Sequence, residues 1–155
     1  MFYLLLKAVH VLAVVLWVGG MAFAHLFLRP SLPLLEPPQR LKLMHEVLRR
    51  FFAAVLAAAA LILASGLWMI GRVARQVVQA GGSFSWPLDW LLMTAVGLLM
   101  MVIFGFIRYV MFKRFAAFVS VQQWPAAAAA LATLRQWVLV NLVLGTALIG
   151  LVLLL

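Results

Sequence analysis

Four runs of apolar residues, each long enough to cross a bilayer, dominate this sequence and leave few folds open to it. A hydrocarbon core needs about 20 residues of helix, and Tyr3–Leu28, Phe51–Ile70, Trp90–Ile107 and Trp137–Leu155 supply that length four times. The runs are rich in Ala, Leu and Met and show no period-two alternation, which points to helices rather than a barrel. Apolar residues make up 68% of the chain and charged residues 10%, against roughly 45–50% and 25% in soluble domains. The expectation is an all-α membrane protein folded as an antiparallel four-transmembrane-helix bundle. It forms one integral membrane domain over residues 1–155, with spans of about 3–28, 51–71, 89–110 and 136–155.

The formal net charge of +9 would suggest a nucleic-acid partner in a soluble protein. Here the basic residues stand at the ends of the spans and report topology instead. Arg29, Arg40, Lys42, Arg49 and Arg50 lie between the first and second spans, and Arg108, Lys113, Arg114 and Arg135 between the third and fourth. Only Arg72 and Arg75 lie between the second and third. The positive-inside rule therefore places both basic connections in the cytoplasm, and the termini and the Gly81-Gly82 loop outside. The expected partners are the bilayer and, at the cytoplasmic face, anionic lipid headgroups, with a second copy or another membrane protein as further candidates.

No proline falls between Pro38 and Gly81, so the second helix is expected to run unbroken from about Gln39 to Gln79. The third begins near Pro87 and continues to about Ser120, and Trp124-Pro125 opens the fourth. These helices outrun the bilayer, which gives the bundle cytoplasmic helix extensions. Ala57–Ala60, Ser65, Gly66, Gly97, Gly105, Gly145 and Gly150 mark where helices can approach closely. The first span is longer than a signal peptide's apolar region, and Arg29-Pro30-Ser31 is no small-residue cleavage site, so it is expected to remain in the mature protein.

Few side chains in the spans can carry chemistry. At 100° per residue, Tyr3, Lys7, His10, Val14, Trp17, Met21 and His25 fall within about 80° on one face of the first helix. That face is expected to look into the bundle, because imidazoles facing lipid would lack partners. His10 and His25 are separated by about 22 Å of helix rise and cannot share one metal ion. His45, early in the second helix with Met44 beside it, is a plausible neighbour of His25 and Met21. Imidazole with thioether suits copper, Met favouring Cu(I), and imidazole alone can ligate haem iron. The candidate metal ligands are thus His10, His25, His45, Met21 and Met44. Arg49, Arg108 and Asn141 are candidates for holding a cofactor's polar groups, the arginines by forking onto carboxylates such as haem propionates. No catalytic residue is assigned: Glu36, Glu46 and Asp89 are not placed to complete a zinc-hydrolase site, and with no cysteine there are no thiolate ligands.

Lys7-Ala8-Val9-His10, Leu16-Trp17-Val18-Gly19-Gly20, Leu28-Arg29-Pro30, Leu48-Arg49-Arg50-Phe51, Ser65-Gly66 and Asn141-Leu142-Val143-Leu144-Gly145 together resemble the CopD family of bacterial copper-resistance inner-membrane proteins in its short, four-helix form. The opening, with Leu26-Phe27, is also similar to the HemJ type of protoporphyrinogen oxidase, a four-helix haem b protein with a histidine where His10 stands. The first resemblance implies copper binding or transport in a multi-pass bacterial inner-membrane protein. The second implies a haem b redox protein acting on protoporphyrinogen or quinone, with Lys7, His10 and Trp17 near the cofactor. The haem likeness also implies a histidine late in the third span, where this chain has Phe104, Gly105, Phe106 and Ile107. A third alternative is a cofactor-free accessory membrane subunit.

Overall fold

A computed structural model describes the whole chain, residues 1–155. Four long helices make up nearly all of it: α1 (Phe2–Leu34), α2 (Pro37–Gln79), α3 (Leu88–Ser120) and α4 (Trp124–Leu154). Each is long and apolar enough to cross a membrane and no strand is present, so the chain is an all-α membrane bundle. Short connections force neighbouring helices to run antiparallel. α1 lies along α2 and α3 along α4, while α1 also meets α4 and the last turns of α3 reach α2. Only 24 of the 155 residues are buried; most Leu side chains, with many of the Val and Phe, face outward, where a bilayer rather than water must cover them.

The two connections rich in arginine lie at one end, here called the basic end. Between α1 and α2 the chain is shaped by prolines. Pro30 offers no N–H, and just before it the helix widens into a π turn over Ala24–Leu28, in which the Arg29 N–H reaches back to Ala24. Ser31 Oγ donates to the Phe27 carbonyl at 2.9 Å. A 3₁₀ turn, Leu32–Leu34, follows. The Arg40 guanidinium then ties this corner down by donating to the carbonyls of Leu35 and Pro33. Glu36 and Gln39 form a capping box ahead of α2, with Pro37 and Pro38 in its first turn.

Both remaining turns end a helix in the same way. Gly81 has φ of +79°, and the N–H groups of Gly81 and Gly82 return to Val78 and Val77, a Schellman motif in which glycine takes the left-handed position. At the end of α3 the same two bonds run from Gln122 to Val119 and from Gln123 to Phe118. There the left-handed position, with φ of +57°, belongs to Gln122.

The small residues divide. Gly145 is a point of close approach: a Cβ there would stand 2.9 Å from both Val18 Cγ2 and Met100 Cε. Ala58, Ala59 and Ser65 are buried, and Gly66 lies against the His10 ring. Gly97, Gly105 and Gly150 have open space where a Cβ would be. Gly20, which the sequence had not marked, accepts the Phe51 ring so closely that no side chain fits. The densest packing is toward the basic end, where Trp17 meets Phe104, Phe104 meets Phe52, and Phe52 meets Phe112, each edge to face with centroids 5.3–5.9 Å apart.

Candidate functional site

Away from the basic end the helices splay. From the Val18–Gly145–Met100 contact outward, α1, α3 and α4 enclose a chamber of about 270 Å³. Its polar wall is His10; Trp17, Met93, Met100 and Met101 are among its other lining residues. Val11, Val15, Ile149 and Leu153 line it and are also exposed, so it opens sideways toward lipid between α1 and α4.

His10 is held by a hydrogen bond between helices. Its Nδ1 lies 2.9 Å from Ser65 Oγ on α2, and the Ser65 hydroxyl donates to the Leu61 carbonyl on its own helix. With that proton committed, the serine oxygen accepts from His10 Nδ1–H. In the tautomer protonated at Nδ1, Nε2 carries the free lone pair on a ring that lines the chamber. A metal-binding histidine is typically oriented in this way, by giving its other N–H to a second partner. The donor set, one imidazole nitrogen with methionine sulfurs on the facing α3, fits Cu(I). The second histidine that a haem iron would take from a facing helix is not among the chamber's lining residues.

The other residues singled out from the sequence have varied surroundings. Trp17 and Met21 are buried on α1, Trp17 forming the chamber floor and Met21 packing in the core with Met44 of α2. Lys7 does not join the inward face. It is exposed, close enough to the start of α1 for its amine to extend to the interface. His45 is stacked on Phe112 of α3, 5.5 Å between centroids, with Phe115 beside it. His25 sits in the π turn of α1, within electrostatic reach of Arg29 and of Arg135 on α4. The two histidines thus have different neighbours, and no group of three or more His, Asp or Glu side chains is gathered anywhere.

Asn141 is buried on α4 and donates to the Met100 carbonyl at 3.2 Å, its Oδ1 having no partner. That bond fixes α4 to the segment of α3 carrying the chamber methionines. Arg49 is committed to its own helix, donating through Nε and Nη2 to Glu46 at 2.9 and 2.8 Å, and Arg50 donates to the same carboxylate. This exposed group stands before the apolar run of α2, and the two guanidinium groups hold its carboxyl well down, at a pKa of about 2. Arg108 lies in a second π turn, Ile107–Met111 of α3. Both arginines lie beyond the Trp17–Phe104–Phe52 layer from the chamber.

Sequence reasoning passed over Ser65 as His10's partner, reading it only as a small packing residue. It also passed over Met93, Met100 and Met101, because methionine is apolar and leaves no polar break in an apolar helix. The nearest available signal was their spacing, since Met93, Met100 and Met101 recur at helical intervals on α3.

No curated protein and no solved structure matches the chain. The family model CopD, copper resistance protein D, matches residues 45–155. The match takes in all of α3 and α4 and most of α2, and leaves α1 with His10 outside it. The chain therefore belongs to the CopD family and is a membrane protein related to copper resistance.

Proposed function

We propose that this protein binds copper as Cu(I) in the chamber and handles it for copper homeostasis in the bacterial inner membrane. His10 Nε2 is the nitrogen ligand, and the thioethers of Met93, Met100 and Met101 are the sulfur donors within the same space. The observation that carries the reading is the His10–Ser65 hydrogen bond, which leaves one nitrogen lone pair on a wall shared with three methionines. Family membership supports the copper link. Trp17 closes the chamber beneath the site, and Asn141 positions Met100 by holding its carbonyl. With the basic end in the cytoplasm, the chamber belongs to the outer half of the bilayer. Met21, Met44, His25 and His45 are then donors along the way inward. The haem b alternative has less support, because no second histidine lines the chamber beside His10.

Titration of the purified protein with Cu(I) against a chromophoric chelator tests this. One tightly held ion per chain is expected, with no Soret band. His10→Ala is expected to lower affinity by about 100-fold or more, since removing a direct ligand costs more than the 10–100-fold typical of outer partners. Full retention of copper by His10→Ala would overturn the assignment.

A further inference from the structure

Arg108 has a buried Nε with no hydrogen-bond partner, on a side chain that offers five N–H donors and no acceptor. The chain holds three carboxylates, and each is engaged or distant. Glu46 serves Arg49 and Arg50, Glu36 caps α2, and Asp89 stands in the first turn of α3, far from the basic end. An unpaired guanidinium donor at the margin of an apolar zone is costly. No carboxylate of the chain meets this guanidinium, so an acceptor for its Nη groups, which are not sealed as Nε is, has to come from outside the chain.

Register shows where. The stacking of His45 on Phe112 aligns α2 with α3, and the helices are antiparallel. One turn onward on α2 is Arg49 and one turn back on α3 is Arg108, so the two arginines stand at the same level of the α2–α3 seam. The π turn that carries Arg108 is a distortion frequently found at functional sites. Beside it, the exposed Tyr109 ring lies 5.9 Å from the Arg108 guanidinium carbon, and Val110 is exposed as well. The seam is therefore bordered by lipid-facing side chains at the depth where aromatic rings meet headgroups.

We infer that the α2–α3 seam at Arg108 and Arg49 binds a phosphate group, its natural source being the phosphodiester of an anionic phospholipid in the leaflet at the basic end. The two Nη groups of Arg108 form the fork that matches two phosphate oxygens, and Arg49 adds positive charge while it holds Glu46. The site is separate from the copper chamber, so either assignment can fail without the other.

Native mass spectrometry and thermal unfolding of the delipidated protein test the inference with three probes: phosphatidylglycerol, phosphatidylcholine and inorganic phosphate. Phosphatidylglycerol is expected to remain bound and to raise the unfolding midpoint. Arg108→Gln is expected to weaken its binding by about tenfold, the scale of one charge-assisted hydrogen bond, while Lys113→Gln leaves it unchanged. Arg108→Lys, which keeps the charge and loses the fork, is expected to fall between, and it serves if the glutamine variant does not fold. Protection by phosphatidylglycerol alone identifies a lipid source, and equal protection by inorganic phosphate identifies a soluble one. Equal phosphatidylglycerol binding by the wild type and both Arg108 variants, or no effect of any probe, would overturn the inference; the latter result would point to a partner protein's carboxylate.

Discussion

At the residue scale, one hydroxyl holds the ring on which the copper proposal rests. Ser65 holds the His10 ring across the α1–α2 contact, so on the proposed copper reading Ser65→Ala is expected to keep the fold and lower Cu(I) affinity by about 10–100-fold. Unchanged affinity in the same chelator competition would show that His10 needs no such partner. Glu46 offers a second check. Its folded-state pKa is depressed to about 2 by Arg49 and Arg50, so the stabilisation from this exposed triad is present above the unfolded pKa and is lost as pH falls through about 2. A carboxyl-carbon NMR titration in detergent should give a midpoint near that value, and Arg49→Gln should raise it. A midpoint at an ordinary glutamate value in the wild type would mean that the triad does not form in solution. The inward turn of His10 was legible in the sequence because a polar residue in an apolar helix has one favourable direction. The burial of Met21 and Met44 in the core was not, since a methionine that fills a core and one that lines a cavity look alike in a sequence.

At the element scale, the helices and their ends were written plainly, in proline and glycine. Pro37-Pro38, Pro87, Gly81 and Pro125 stand where α2, α3 and α4 begin or stop. The π turns were harder to see, because one added residue disturbs a 3.6-residue period too little to register. Pro30 gave a hint of the first, and nothing in Ile107–Met111 announces the second. Gln122 is the exception among the caps, as a residue with a side chain held in left-handed backbone. Left-handed geometry costs such a residue roughly 1–2 kcal/mol, part of which glycine's greater unfolded freedom offsets. Gln122→Gly is accordingly expected to stabilise the protein by up to about 1 kcal/mol, read as a higher midpoint in reversible unfolding. A lower midpoint would show that the Gln122 side chain makes contacts that outweigh the strain.

At the scale of the whole molecule, the bundle is tight at one end and open at the other, and two glycines on the chamber test that asymmetry. Gly97 lines the chamber with nothing near its missing Cβ, so Gly97→Leu is expected to leave thermal stability unchanged while it blocks copper binding. Gly145 sits where α1, α3 and α4 meet, and Gly145→Leu is expected to destabilise the protein by several kcal/mol through overpacking. Equal effects of the two substitutions on stability would contradict the splayed arrangement. Sequence gave the number and direction of the helices but not this asymmetry, which depends on how the Phe51 ring, Gly20, Val18 and Gly145 set the helix spacing.

The chain of rings from Trp17 through Phe104 and Phe52 to Phe112 also has an electrical meaning. A cell membrane stores an ion gradient, and a standing watery path would discharge it. Rings packed edge to face fill that layer of the bundle with apolar atoms. If copper crosses the bundle as the proposed function allows, these rings would have to part for each ion, and flux would then saturate with concentration as in a carrier.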